Sequence, residues 1–318
     1  VRRLLATADV FIENFRPGTL EEMGLAPETL LAANPDLIIV RISGFGQTGP
    51  YRERPGFGTV AETGSGFAYI NGWPDTPPTS PPFGFADSIA GIAAAMGTAM
   101  ALYRRERTGG GDVVDVALYE PLMFILGDMI LNYTGTGFVQ GRVGNGTGSA
   151  SPRGVYQAGD GKWLSIAASN QGIAVRLFAA MDRPDILEDP RFATNAARME
   201  HNDAIQAIVS AWVAQRPRHD VLAILQQHEV VCSQVNDASD IVADPHFSER
   251  TLVELTGSEA LGRVLTPGPV LHLRDWDGPA YDGVPSIGEH TDEVLGEAGL
   301  SAVEIAALRR ERVVGGAT

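Results

Sequence analysis

Residues 37–43 read Leu-Ile-Ile-Val-Arg-Ile-Ser, an almost unbroken β-branched run. A strand with one wet face alternates apolar and polar residues, whereas a continuous run belongs to a strand covered on both sides. Strands of that kind sit in parallel sheets with helices above and below. The flanking text agrees. Val10–Glu13 predicts a short strand, Pro17–Asn34 a helical stretch, and residues 44–59 a long loop. Helical text resumes near Val60, a Pro-rich loop spans 71–84, and a helix is expected over Asp87–Arg105 with Asp87 capping it. A glycine turn then leads into a strand over Asp112–Tyr119 and a helix over Pro121–Leu126. Strand, helix, strand, helix at this spacing predicts the α/β class with a doubly wound parallel sheet.

The second half changes character. A Gly-rich segment, 134–154, precedes a hairpin turning at Gly159–Gly161 and helices over Gln171–Met181, His201–Gln215 and Arg218–His228. Residues 1–151 are read as a large domain, 152–265 as a smaller α+β domain, and 266–318 as a C-terminal segment that is extended after Pro267 and then helical. The chain opens inside helical text, "VRRLLATADV", so further chain is expected before Val1, and no signal peptide is expected.

The formal net charge is −15, which argues against nucleic-acid and anionic-membrane partners; an anionic small molecule needs only local cations. The apolar stretch 90–103 reads as too short to span a membrane. The single cysteine, Cys232, excludes an internal disulfide, fits a reducing cytoplasmic location and reads as a buried structural thiol.

Several chemistries lack their residues. There is no P-loop, no Gly-x-Ser-x-Gly elbow, no cysteine pair and no His-x-x-x-His spacing, and no Gly-x-Gly-x-x-Gly stands between a strand and a helix. That removes a metal site and makes an NAD-dependent oxidoreductase a poor reading. All six histidines follow residue 200, and Lys162, on the hairpin turn, is the only lysine. Acid–base or nucleophilic work in the first half therefore falls to carboxylates or tyrosine. Glu120 stands at the strand-to-helix corner, followed by Pro121. Proline favours the first helical position, which makes Glu120 the expected N-cap, at the end of a parallel strand where ligands bind. From this corner alone it is either a helix cap or a nucleophile.

Three further segments resolve that choice by resemblance. "IENFRPGTLEEMGL" (12–25), "ISGFGQTGPYRERPGFGTVAETGSG" (42–66) and "PPFGFADSIAGIAAAMGTAMALYRRERTGGGDVVDVALYE" (81–120) resemble the family III CoA-transferases, also called CaiB/BaiF, which include carnitine-CoA and formyl-CoA transferases. The resemblance continues to the closing "GEHTDEVL". It implies a Rossmann-like large domain that binds CoA and an interlocked homodimer. It also implies transfer of CoA from an acyl-CoA thioester to a free carboxylic acid through a carboxylate-bound intermediate. CoA is then substrate, and no resident cofactor is expected. The family's aspartate nucleophile falls at Glu120, one methylene longer. Asn14, Phe15, Arg16 and Pro17, with Arg52 and Arg54, are the implied CoA contacts, since arginine suits phosphate. Gly144, Gly146 and Gly148 fall in the family's mobile glycine loop, which would keep water from the intermediate. The alternatives are a racemase-like isomerase, whose Gly-His-Asp motif is replaced at Phe57 and Gly58, and a non-catalytic acyl-CoA-binding homologue. His290 is expected to cap or orient the C-terminal helix.

Overall fold

In the computed structural model, which describes residues 1–255, 262–275 and 284–315, β1 (Val10–Glu13), β2 (Ile38–Ser43) and β3 (Asp112–Ala117) form a parallel sheet in the order β1-β2-β3. Val10 lies opposite Ile38 and Glu13 opposite Arg41; on the other side Ile38 faces Asp112 and Ser43 faces Ala117. β2 is central, which is why its text is continuously apolar. Its two faces feed two cores. Ile38 and Val40 pack with Ala86, Ala90, Ala94 and Ala101, while Leu37 and Ile39 pack with Leu5, Leu20, Leu25 and Leu30.

The second of those cores is covered by α1 (Arg2–Leu5), α2 (Thr19–Glu22) and α3 (Pro27–Ala33). The helical text 17–34 is therefore broken, because Gly24 takes φ +70°, a left-handed turn, and Pro27 starts the next helix. α4 (Gly58–Gly64), α5 (Phe67–Ile70) and α6 (Phe85–Thr108) follow. α6 is longer than expected, and by length and composition it is apolar enough to cross a membrane, contrary to the sequence reading. Its alanines lie on the sheet: they are small enough to bring the helix axis close, and Gly97 abuts Val114.

After β3 come α7 (Glu120–Ile125) and α8 (Gly127–Thr136). The rest comprises β4 (Arg153–Gln157), β5 (Trp163–Ala167), α9 (Gln171–Ala180), α10 (Asn195–Glu200), α11 (Asn202–Val213), α12 (Arg218–Gln227) and β6 (Cys232–Gln234). It continues with α13 (Ala238–Ala243), α14 (Pro245–Arg250), the antiparallel pair β7 (Leu252–Leu255) and β8 (Val264–Pro267), α15 (Thr291–Glu297) and α16 (Ala302–Arg310). The expected 159–161 turn separates β4 from β5. His290 is the N-cap of α15 but its side chain makes no capping bond. Cys232 is half-buried rather than buried, and burial pushes its thiol pKa up. Part of the stretch read as extended, 276–283, lies outside the described residues.

Two compact units are present. One comprises Val1–Val155, Ile166–Ser210 and His228–Val231; the other Tyr156–Ser165, Ala211–Gln227 and Cys232–Thr318. In the first, Arg198 is fully buried. Its Nε donates to the Ser151 carbonyl at 2.7 Å and its NH1 to the Phe192 carbonyl at 2.9 Å and to Gln171 Oε1 at 3.0 Å.

Candidate active site

Parallel pairing puts the ends of the three strands on one edge. From β1 the chain turns through Asn14–Gly18, from β2 it enters the loop 44–57, and from β3 it reaches Glu120 within three residues. The Leu118 N–H donates to the Ser43 carbonyl at 2.9 Å, so β3 and β2 end level. Glu120, Asn14, Phe15, Arg16, Arg52 and Arg54 are thus all carried to the carboxyl edge of one parallel sheet, where open α/β folds bind ligands.

The corner differs from expectation by one residue. Tyr119 is the N-cap, because its carbonyl accepts the first helical bond, from Met123 N–H at 3.0 Å, and Glu120 is the first helical residue. Its carboxylate sits in the first turn, where the free N–H groups favour negative charge. Glu120 is exposed, and among the described residues its side chain has no hydrogen-bond or ion-pair partner. Leu122, 1% exposed, anchors the short helix in the α6 core. A carboxylate that is held by its backbone and otherwise unengaged is free to attack an electrophile.

The loop after β2 is built around Phe45. Its ring centroid lies 5.8 Å from that of Tyr51, edge-on, and 6.0 Å from that of Tyr119. The Arg54 guanidinium lies 3.5 Å over the Tyr51 ring. An aromatic relay therefore connects the Arg54 cation to the residue before Glu120. The loop closes because Gly44 and Gly56 touch backbone to backbone: a Cβ on Gly44 would come within 2.8 Å of Gly56 Cα. It is pinned to β3 by the Gln47 N–H donating to Asp115 Oδ2 at 2.9 Å. Arg52 is paired with Glu53 at 3.2 Å on the exposed loop, so its charge is partly answered. Burial first, then the charges of Glu120 and Asp115, raise the Tyr119 pKa, and its hydroxyl stays neutral.

In the turn after β1, Arg16 and Asn14 are exposed and Phe15 is half-exposed. Beneath them Glu13, 4% exposed, meets Arg41 Nε at 2.6 Å and accepts the Phe15 N–H at 2.7 Å.

Of the glycines assigned to a loop over the site, Gly144 is held against the segment 69–73. The Gly144 N–H donates to the Gly72 carbonyl at 2.9 Å, and its Cα packs on the Trp73 ring. Arg142 donates to the Trp73 and Tyr69 carbonyls, both at 3.0 Å. Gly146 donates to the Val143 carbonyl at 3.3 Å, Thr147 bridges to Ala150, and Gly148 is open. Among the described residues no hydrogen bond joins these glycines to Glu120.

A cleft of about 360 Å³ lies between Phe57–Glu62 and Pro81–Asp87. Asp87 is not the cap of α6: it lies inside the first turn, with Gly84 as N-cap, and its carboxylate packs against Gly58 and Gly84. The cap comes from Glu62, 2% exposed, which accepts the Ala86 N–H at 3.3 Å. No spacing rule finds a cap supplied from another helix. Nor did the sequence point to Glu13, Arg41 or Phe45, whose roles depend on sheet register. Among the described residues no cluster of ligands suits a metal ion.

A parallel sheet that gathers a free carboxylate and arginine-bearing turns at one edge is an open-sheet α/β enzyme fold suited to anionic ligands. The family described as CoA-transferase family III matches residues 1–291. The chain belongs to that family and is a CoA-transferase, as the sequence resemblance implied. It is 38% identical to a succinyl-CoA–D-citramalate CoA-transferase from Chloroflexus aurantiacus, covering 99% of this chain and 78% of that one. It is 36% identical to a succinyl-CoA–L-malate CoA-transferase alpha subunit from Chloroflexus aurantiacus, covering 98% and 73%. Among solved structures, a CaiB/BaiF family protein from Brucella suis superposes with a TM-score of 0.81 at 33% identity, covering 93% of this chain and 77% of that chain.

Proposed function

We propose that this CoA-transferase moves CoA from a dicarboxylic acyl-CoA, succinyl-CoA in the first instance, to a second dicarboxylic acid, with Glu120 as nucleophile. The relatives named for D-citramalate and L-malate support that substrate class. The observation that carries the mechanism is the unengaged Glu120 carboxylate at the carboxyl end of β3.

A Glu120 oxygen attacks the thioester carbonyl and expels CoA thiolate, giving a mixed anhydride. The thiolate attacks the glutamyl carbonyl, releasing the donor acid and leaving a glutamyl-CoA thioester. The acceptor carboxylate then attacks that thioester, and the released thiolate attacks the acceptor's acyl carbon, restoring Glu120. No oxidant, metal or resident cofactor is needed. Asn14, Phe15, Arg16 and Arg54 are the CoA contacts, with Arg52 available if it exchanges Glu53 for phosphate. The segment around Gly144, Gly146 and Gly148 is the water-excluding loop.

The chain works as an interlocked homodimer in the cytoplasm, divided functionally into 1–151, 152–265 and 266–318. Exposed apolar surface supports the pairing: Phe124 is 88% exposed, and Ile92, Met96, Met100 and Tyr103 form an exposed stripe along α6.

Intact mass after incubation with succinyl-CoA, with Glu120→Gln as control, tests the mechanism. A hydroxylamine-labile adduct of succinyl or CoA mass on the wild type alone is expected. Succinyl-CoA bound without an adduct would instead mark a non-catalytic binding homologue.

A further inference from the structure

One guanidinium straddles the turn after β1. Arg41, 5% exposed on the central strand, reaches Glu13 before the turn at 2.6 Å. It also reaches Glu21 beyond the turn, at 2.7 Å through NH1 and 3.3 Å through NH2. The other Glu13 oxygen accepts the Phe15 N–H, so the carboxylate is engaged on both sides. Gly18 takes φ +93°, and Thr19 N–H closes onto the Arg16 carbonyl at 3.1 Å. The backbone of residues 14–18 is thus fixed from three directions, while the Arg16 guanidinium above it has no partner among the described residues.

The buried Glu13–Arg41 pair is a costly way to stabilise a fold, since apolar residues fill such space at less expense. What the arrangement supplies is shape: a turn already ordered before ligand arrives, so that binding does not have to order it. We propose that Arg41, through Glu13 and Glu21, is a positioning residue that holds the Asn14–Gly18 turn in its phosphate-receiving conformation. This rests on the reading of that turn as a CoA contact.

Calorimetric titration of the full chain with free coenzyme A tests it, using Arg16→Ala, Glu21→Gln, Arg41→Lys and the double variant Arg16→Ala/Glu21→Gln. Glu21→Gln and Arg41→Lys are expected to weaken binding by about tenfold each. Adding Glu21→Gln to Arg16→Ala should cost clearly less than the loss of about tenfold it causes alone, because the held turn then presents only Asn14 and Phe15 and no cation for phosphate. Losses that multiply in the double variant would reduce the cluster to a structural brace and overturn the proposal. So would affinities within about twofold of wild type for both Glu21→Gln and Arg41→Lys. If Arg16→Ala binds as wild type does, the CoA reading of the turn itself fails, and the proposal with it. Glu21→Gln removes one partner at a side chain that is 39% exposed, so it leaves the fold intact where Arg41→Met would strand a buried Glu13.

Discussion

At the residue scale, the same carboxylates that shape the turn proposed to receive CoA make the fold sensitive to acid. The hydrogen bond from Arg41 holds the Glu21 carboxyl below its ordinary value of 4.5. Burial alone would lower the Arg41 pKa, but its hydrogen bonds to Glu21 and Glu13 outweigh it and raise it. A group whose folded value is depressed contributes stability that is complete above its unfolded value and lost as pH falls through the folded one. The urea midpoint of the wild type should therefore fall between about pH 5 and about pH 3 more steeply than that of Glu21→Gln. Parallel pH profiles would show that the Arg41 bond does not hold the carboxylate ionised. Glu120 is a contrasting case: a carboxylate with no partner among the described residues. Its corner was readable from a valine-rich strand meeting an acid and a proline. The one-residue error in the cap arose because which carbonyl accepts the first helical bond depends on where β3 leaves the sheet.

At the element scale, β2 and α6 show why some elements are plain in sequence and others are not. β2 announces itself because both its faces are covered, and no surface residue interrupts the run. α6 was recognised but placed too short, since Phe85 and Ala86 join the helix through Glu62, which lies on α4 and leaves no local mark. The stretch 17–34 looked continuous because helix-forming residues surround Gly24, whose left-handed backbone breaks it. The pairing of Glu13 with Arg41 was invisible for a similar reason: parallel register, not spacing, makes them neighbours. The alanine face of α6 has a measurable consequence. Ala90 is fully buried between helix and sheet, and Ala90→Leu forces extra volume into that seam. A loss of about 1–3 kcal/mol and a thermal midpoint lower by several degrees are expected. An unchanged midpoint in scanning calorimetry would mean that the helix does not lie on the sheet as described.

At the scale of the whole molecule, the opposite side of α6 matters. Ile92, Met96, Met100 and Tyr103 follow one another about one turn apart and are each more than 60% exposed, a stripe that a lone chain in water has reason to cover. If the proposed homodimer pairs through this stripe, Ile92→Asp/Met100→Asp should run as a monomer in light-scattering-coupled size exclusion where the wild type runs as a dimer; a variant that is still dimeric would place the subunit contact elsewhere. The sheet itself imposes an order on events during synthesis. β1 can find β2 once residue 43 has left the ribosome, but β3 must bring Asp112 back beside Ile38 across a long stretch of chain. Such distant pairing is slow to form. The edge proposed to receive CoA exists only when all three strands have joined and Tyr119 has met Phe45. Coenzyme in the cell therefore cannot guide the early chain. It can only reward the finished one, so nascent protein passes through a period in which abundant ligand offers it no protection.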